Sequence, residues 1–266
     1  MIATLRGEAP LIVSIPHAGL DIPDEIAANI VSLPRARYDA DLHVDRLYDF
    51  AQSLGATIVR TGISRTVIDV NRDPSGQSLY PGMTTTGLCP VTTFDGDPLY
   101  LPGREPDADE IARRTGDWFD PYHAALAAEI ARLRERHPRI VLYEAHSIRS
   151  RVPRLFDGEL PLFNIGTNSG AACAPGLTRA VEAICDATRG TRVTDGRFKG
   201  GWTTRHYGRP EEGVHAIQME LAMRIYLDEV LPVAWPPDWS DARAAPCQDA
   251  LRHILAAAIE FALEEK

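Results

Sequence analysis

Short, unbroken apolar runs alternate along this chain with stretches of helical periodicity. Leu11–Ile15 reads LIVSI and is stopped by Pro16, the pattern of a strand buried on both faces rather than one with a face in water. The segments 57–60, 66–70, 140–143, 162–165 and 215–219 repeat that pattern. Between them, 39–54 sets Val44, Leu47, Tyr48, Ala51 and Leu54 on one helical face, with Gly55 just past the end. Segments 107–118 and 121–136 read as two helices, because Pro121 suits a first turn but would break an interior, and Asp120 is placed to cap the second. A last helix, Asp241–Leu263, carries a stripe of Leu251, Ile254, Leu255, Ala258, Ile259 and Ala262. Strands alternating with helices predict an α/β fold, a mixed and mainly parallel sheet flanked by helices. No repeat or linker interrupts the pattern, so 1–266 reads as one domain.

Composition narrows the picture. The chain is 44% hydrophobic and 24% charged, enough for a large core. Its 28 Lys+Arg against 37 Asp+Glu give a net charge of −9 with no concentrated block, which argues against nucleic acid and anionic membrane as partners. No run of about 18 apolar residues and no apolar leader occurs, so a cytoplasmic location is expected. Cys89, Cys173, Cys185 and Cys247 form no CxxC pair, which predicts buried reduced thiols rather than a disulfide framework or a cysteine zinc site. The stretch 73–106 holds six prolines and five glycines without periodicity; a loop that long in a compact domain is usually a lid or a binding wall.

Candidate chemistry gathers at the strand ends, where open α/β sheets bind ligands. His17 follows the first buried strand, and Glu144 and His146, two apart, share one face where RIVLY ends. A catalytic zinc takes three protein ligands from His and Asp/Glu, so His17 and His146 need a carboxylate, with Asp41, Asp45 and Glu144 as candidates. Asn71 and Arg72 end a β-branched run and suit a substrate carboxylate, the guanidinium as a planar fork; Arg65 and Asp69 offer a structural pair nearby. Glu220 stands at or near a strand end before LAMRIYL, placed either as a general base or as a helix N-terminal glutamate. His123, Arg149, Arg205 and His206 are further candidates for the pocket wall. No P-loop, GxGxxG or GxSxG is present.

Seven segments in order, SIPHAG at 14–19, DLHVDRLYDFAQSLGA at 41–56, SRTVIDVNRDPSG at 64–76, LYPGMTTTGLCP at 79–90, DPYH at 120–123, EAHSIRSRVPRLFDG at 144–158 and QMELAMRIY at 218–226, resemble the N-formylglutamate amidohydrolase family. The resemblance implies a fold related to the zinc carboxypeptidases and aspartoacylases. It also implies metal-dependent hydrolysis of the small molecule N-formyl-L-glutamate to formate and L-glutamate, the last step of a histidine degradation route. It points to Zn2+ as the divalent metal, His17 and His146 as ligands, and Glu220 as the base. Zinc carboxypeptidases carry a glutamate three residues after the first histidine where this chain has Leu20, so Asp41 becomes the preferred carboxylate ligand. Asn71 and Arg72 are expected to anchor one substrate carboxylate, and Arg65, Arg149 or Arg205 the second. The rivals are an amidohydrolase for another N-formyl or N-acyl amino acid and a non-catalytic dicarboxylate-binding protein.

Overall fold

The computed structural model describes residues 1–79, 82–188, 190–229 and 236–264. Seven strands, β1 (Ile2–Leu5), β2 (Leu11–Ile15), β3 (Thr57–Thr61), β4 (Ile140–Ile148), β5 (Phe163–Gly166), β6 (Arg192–Thr194) and β7 (Val214–Ala222), form one mixed sheet in the order β1-β3-β2-β4-β7-β5-β6. The pairs β2/β3, β2/β4, β4/β7 and β5/β6 are parallel, and β1/β3 and β5/β7 antiparallel. The helices are α1 (Asp24–Ala27), α2 (Leu33–Ala36), α3 (Val44–Leu47), α4 (Ala108–Arg114), α5 (Asp120–Arg134), α6 (Pro175–Ala187), α7 (Trp202–Tyr207) and α8 (Asp241–Leu263). Among the described residues no helix is long and apolar enough to cross a membrane.

Every residue of β2, β4 and β7 is buried, which is why these strands read as continuous apolar runs rather than alternating ones. Their successive side chains feed two cores. Leu11, Val13, Val141, Tyr143, Ile217 and Met219 meet α6 and α8 through Leu177, Val181, Leu251, Ile254 and Leu255. On the opposite face Ile12, Ile140, Leu142, Val214 and Ala216 meet Tyr122, Leu126 and Leu133 of α5. Further along the strands this second face turns polar, with Glu144, His146, Gln218 and Glu220. The chain leaves β2 for β3 on one side and then crosses to β4 on the other, so the ends of β2 and β4 flank a topological switch point, the usual place for a ligand crevice.

Three local expectations are corrected. Segment 39–54 does not form one helix: the Asp41 N–H donates to the His17 carbonyl at 3.0 Å and His43 sits at φ 58°, so helical structure begins only at α3 and continues as a 3-10 segment, Asp49–Leu54. Pro121 separates nothing, because α4 runs through a π-helical turn, Thr115–Phe119, into α5, with Asp120 itself helical. The widened turn accommodates a residue that lacks an N–H donor. Asp107 is the cap instead, accepting from the Glu110 N–H at 2.9 Å. Segment 66–70 is a buried, turn-rich loop rather than a strand. Local side-chain bonds capture its backbone: the Asn71 N–H donates to Asp69 Oδ1 (3.0 Å) and the Thr66 N–H to Ser64 Oγ (3.3 Å), while Val67, Ile68 and Val70 still enter the second core.

Candidate active site

The register of β4 on β7 sets His146 opposite Glu220 and Glu144 opposite Gln218, four polar side chains on the face that is apolar lower down. His17, just beyond β2, and Asp41, drawn in from the segment before α3, complete the group. Asp41 Oδ2 lies 3.0 Å from His146 Nδ1 and 3.7 Å from His17 Nδ1, and one ligand atom from each of the three residues falls within 4.8 Å of the others. His17 Nδ1 is buried without a hydrogen bond among the described residues. Its opposite nitrogen, Nε2, is 2.7 Å from Asp69 Oδ1, and His146 Nε2 is 3.1 Å from Asn71 Nδ2 and 3.3 Å from Glu144 Oε1. Two imidazoles that converge through Nδ1 on one carboxylate, each held at its outer nitrogen, fit a divalent metal, since ligating histidines are oriented by a group on the other ring nitrogen.

The other candidate carboxylates stand elsewhere. Asp45 is half-exposed and pairs with Arg60 at 2.9 Å. Glu144 lies behind His146, with Oε2 accepting from Thr204 Oγ1 at 2.7 Å.

Burial alone would raise the carboxyls of Asp41 and Asp69, but His17 and His146 hold Asp41, and Arg72, His17 and Arg65 hold Asp69, well below the usual carboxylate range. Glu220 goes the other way, pushed up to about 8 by burial, with Asp41 and Glu144 adding to the push against His146 and Arg65. For His146 burial favours the neutral ring, yet the carboxylates of Asp41 and Glu144 beside it outweigh this and raise it to about 10.

These groups open into a cavity of about 70 Å³ lined by His17, His146, Glu220, Asn71, Arg65 and Arg72, with Thr84–86 and Phe94 from the proline-rich loop forming one wall. A larger apolar groove of about 1010 Å³ by Gly213 and Phe261 holds none of them. Arg65 reaches Asp69 Oδ2 (2.7 Å) and Asp41 Oδ1 (3.3 Å) and lies over the Phe94 ring. Arg72 is held at 3.0 Å by both the carbonyl and the hydroxyl of Thr86, and Asp69 Oδ2 is farther, at 3.5 Å. Arg149 and Arg205 do not line this cavity. Arg149 is buried against Asp39 (3.1 Å) and Asp95 (2.8 Å), and Arg205 Nε donates to the Gly200 carbonyl. His123 is structural, with Nε2 2.7 Å from the Val70 carbonyl and its ring packed among Phe119, Tyr122 and Trp202.

Gln218 and Arg197 are among the lining residues that sequence reasoning missed. Gln218 was detectable, because a strand puts residue 218 on the face of residue 220. Arg197, held by the carbonyls of Leu155 and Thr84 at 2.8 Å each, comes from an irregular segment with no local signal.

A mixed α/β sheet whose strand ends bring two histidines to one aspartate, beside a buried glutamate and three arginines, defines an α/β protein with a candidate metal site. The sequence profile of the N-formylglutamate amidohydrolase family matches residues 9–227, and the chain belongs to that family. It is similar to N-formylglutamate deformylase of Pseudomonas aeruginosa, 47% identical over 252 residues that cover 94% of each chain. To the deformylase of Pseudomonas putida it is 44% identical, over 97% of this chain and 96% of the other. The crystal structure of N-formylglutamate amidohydrolase from Ralstonia eutropha JMP134 superimposes with a TM-score of 0.79 at 25% identity, covering 98% of this chain and 96% of that one. At 19% identity and a TM-score of 0.71, a gene product of Agrobacterium tumefaciens shares the fold over 99% of this chain and 96% of its own.

Proposed function

We propose that this protein hydrolyses N-formyl-L-glutamate to formate and L-glutamate, using a divalent metal held by His17, Asp41 and His146. The observation that carries the reading is the convergence of those three ligand atoms, two of them from histidines that line the cavity together with Glu220 and three arginines. The names of the similar deformylases support the substrate. Zinc is the ion such a two-nitrogen, one-oxygen set favours, and when bound it lowers the pKa of water and polarises a carbonyl.

The chain's own groups account for the rest. Glu220, beside His146 and shielded from bulk water, takes the proton of the attacking water on its carboxylate and returns it to the departing amine of glutamate. Burial raises its proton affinity, so it is a strong base once the charge of a bound metal beside it keeps it ionised, and the proton it accepts is the one the leaving amine takes. Asn71 and Arg72 hold one substrate carboxylate, and Arg65 or Arg197 meets the second, so an acidic protein presents a locally basic pocket. End-of-pathway chemistry of this kind fits a histidine degradation route and a cytoplasmic enzyme.

The test is formate release by purified protein before and after chelation, with zinc, cobalt and manganese added back. Chelator-sensitive release restored by a metal is expected. Release indifferent to chelation would remove the metal, and no release with any of the three would remove the substrate. Parallel assays with formylaspartate and acetylglutamate separate this reading from a related amidohydrolase.

A further inference from the structure

Two groups approach the outer nitrogen of His146, and only one of them can accept a proton. The Asn71 amide is oriented by the Thr203 N–H, which donates to Oδ1 at 2.9 Å, so its nitrogen, a donor, faces His146 Nε2 at 3.1 Å. Glu144 Oε1, buried and without a hydrogen bond among the described residues, stands 3.3 Å from the same Nε2. A histidine that ligates through Nδ1 carries its proton on Nε2 and needs an acceptor there. Glu144 Oε2 is meanwhile fixed by Thr204 Oγ1 at 2.7 Å. The short segment 201–204 thus reaches three parts of the site, since the Gly201 N–H also donates to Gln218 Oε1 at 2.8 Å.

We infer that Thr204 is a positioning residue: by pinning Glu144 it holds His146 in the tautomer that presents Nδ1 to the metal. The inference rests on the metal reading above. It also gives the WTT run at 202–204 a role that local sequence did not suggest.

Thr204→Val removes the hydroxyl at nearly constant shape, and Thr204→Ser keeps it. Zinc affinity is read by competition with a chromophoric chelator, alongside thermal melting of the metal-free proteins. Thr204→Val should bind zinc about 10- to 100-fold more weakly, the usual cost of losing such an outer partner, and Thr204→Ser should stay within about 3-fold of the parent. Equal affinity in Thr204→Val and the parent, or an equal loss in Thr204→Ser, overturns the assignment. Should Thr204→Val not fold, Glu144→Gln takes its place, with the same weakening expected and parent-like affinity again overturning it. A parent protein that binds no zinc would instead fell the metal reading, and this inference with it.

Discussion

Glu220 lies buried in register with His146, and in the absence of a metal charge burial raises its carboxyl to about 8. Replacing it with the isosteric, uncharged glutamine therefore disturbs little in the fold. Glu220→Gln should keep metal content and Tm while kcat falls about 100-fold or more; near-parental turnover would remove Glu220 from proton transfer. The arginines divide by their surroundings. Arg72 lines the cavity, so Arg72→Lys, which keeps charge but loses the planar fork, should raise KM for formylglutamate, and an unchanged KM would mean the carboxylate is read elsewhere. Arg149 faces Asp39 and Asp95 outside the cavity. Arg149→Met should leave KM alone and lower stability by on the order of 2 kcal/mol, because two carboxylates lose their counter-charge; kinetics and denaturant titration of the same sample distinguish the two effects.

At the scale of elements, α7 and the 66–72 loop meet at close range. A Cβ on Gly201 would fall 2.3 Å from Asn71 Nδ2, so Gly201→Ala should displace that amide and cut kcat/KM by about 10-fold or more, the scale of a misplaced binding group. A rate equal to the parent's would show that the loop yields there freely. His123 joins α5 to the same loop through the Val70 carbonyl. Burial depresses its ring to about 4, only partly offset by the bond to Val70 and the charge of Glu144. Between that value and the ordinary histidine pKa of about 6.5 the unfolded chain takes up a proton that the folded one refuses, so stability falls as pH drops through this window. His123→Gln retains hydrogen-bonding capacity without titrating. It should flatten that slope in denaturant titrations between pH 4 and 6.5, and an unchanged slope would place the acid sensitivity elsewhere.

Across the whole molecule, a metal bound by His17, Asp41 and His146 would link its binding to folding, because these residues, from the end of β2, the segment before α3 and β4, meet only in the folded chain. An ion at 100 times its Kd that binds only the folded state adds about 2.7 kcal/mol. For a chain of this size that raises Tm by roughly 5–10 °C, which calorimetry with and without chelator would check. An identical Tm in both would mean that the three residues hold no ion. The charge distribution follows the same division of scale: the surface is acidic overall at −9, while the cavity wall carries Arg65, Arg72 and Arg197.

The sequence by itself determined the α/β class, five of the six expected strands, α8 to its end residues, and His17, His146 and Glu220 as polar residues near strand ends. These follow from short-range rules, since a strand buried on both faces must be apolar along its length and a break in that pattern stands out. Tertiary structure decided which carboxylate joins the histidines. Asp41 and Asp45 are equally acidic and four residues apart, but only Asp41 is carried under the Ser147 N–H and beside both imidazoles, whereas Asp45 meets Arg60 near the surface. It also decided that Arg197 and Thr204 belong to the site and Arg149 does not. A side chain's partners across the fold depend on strand order and register, which bring residue 204 to residue 144 and residue 69 to residue 17, and no window of neighbouring residues contains that information.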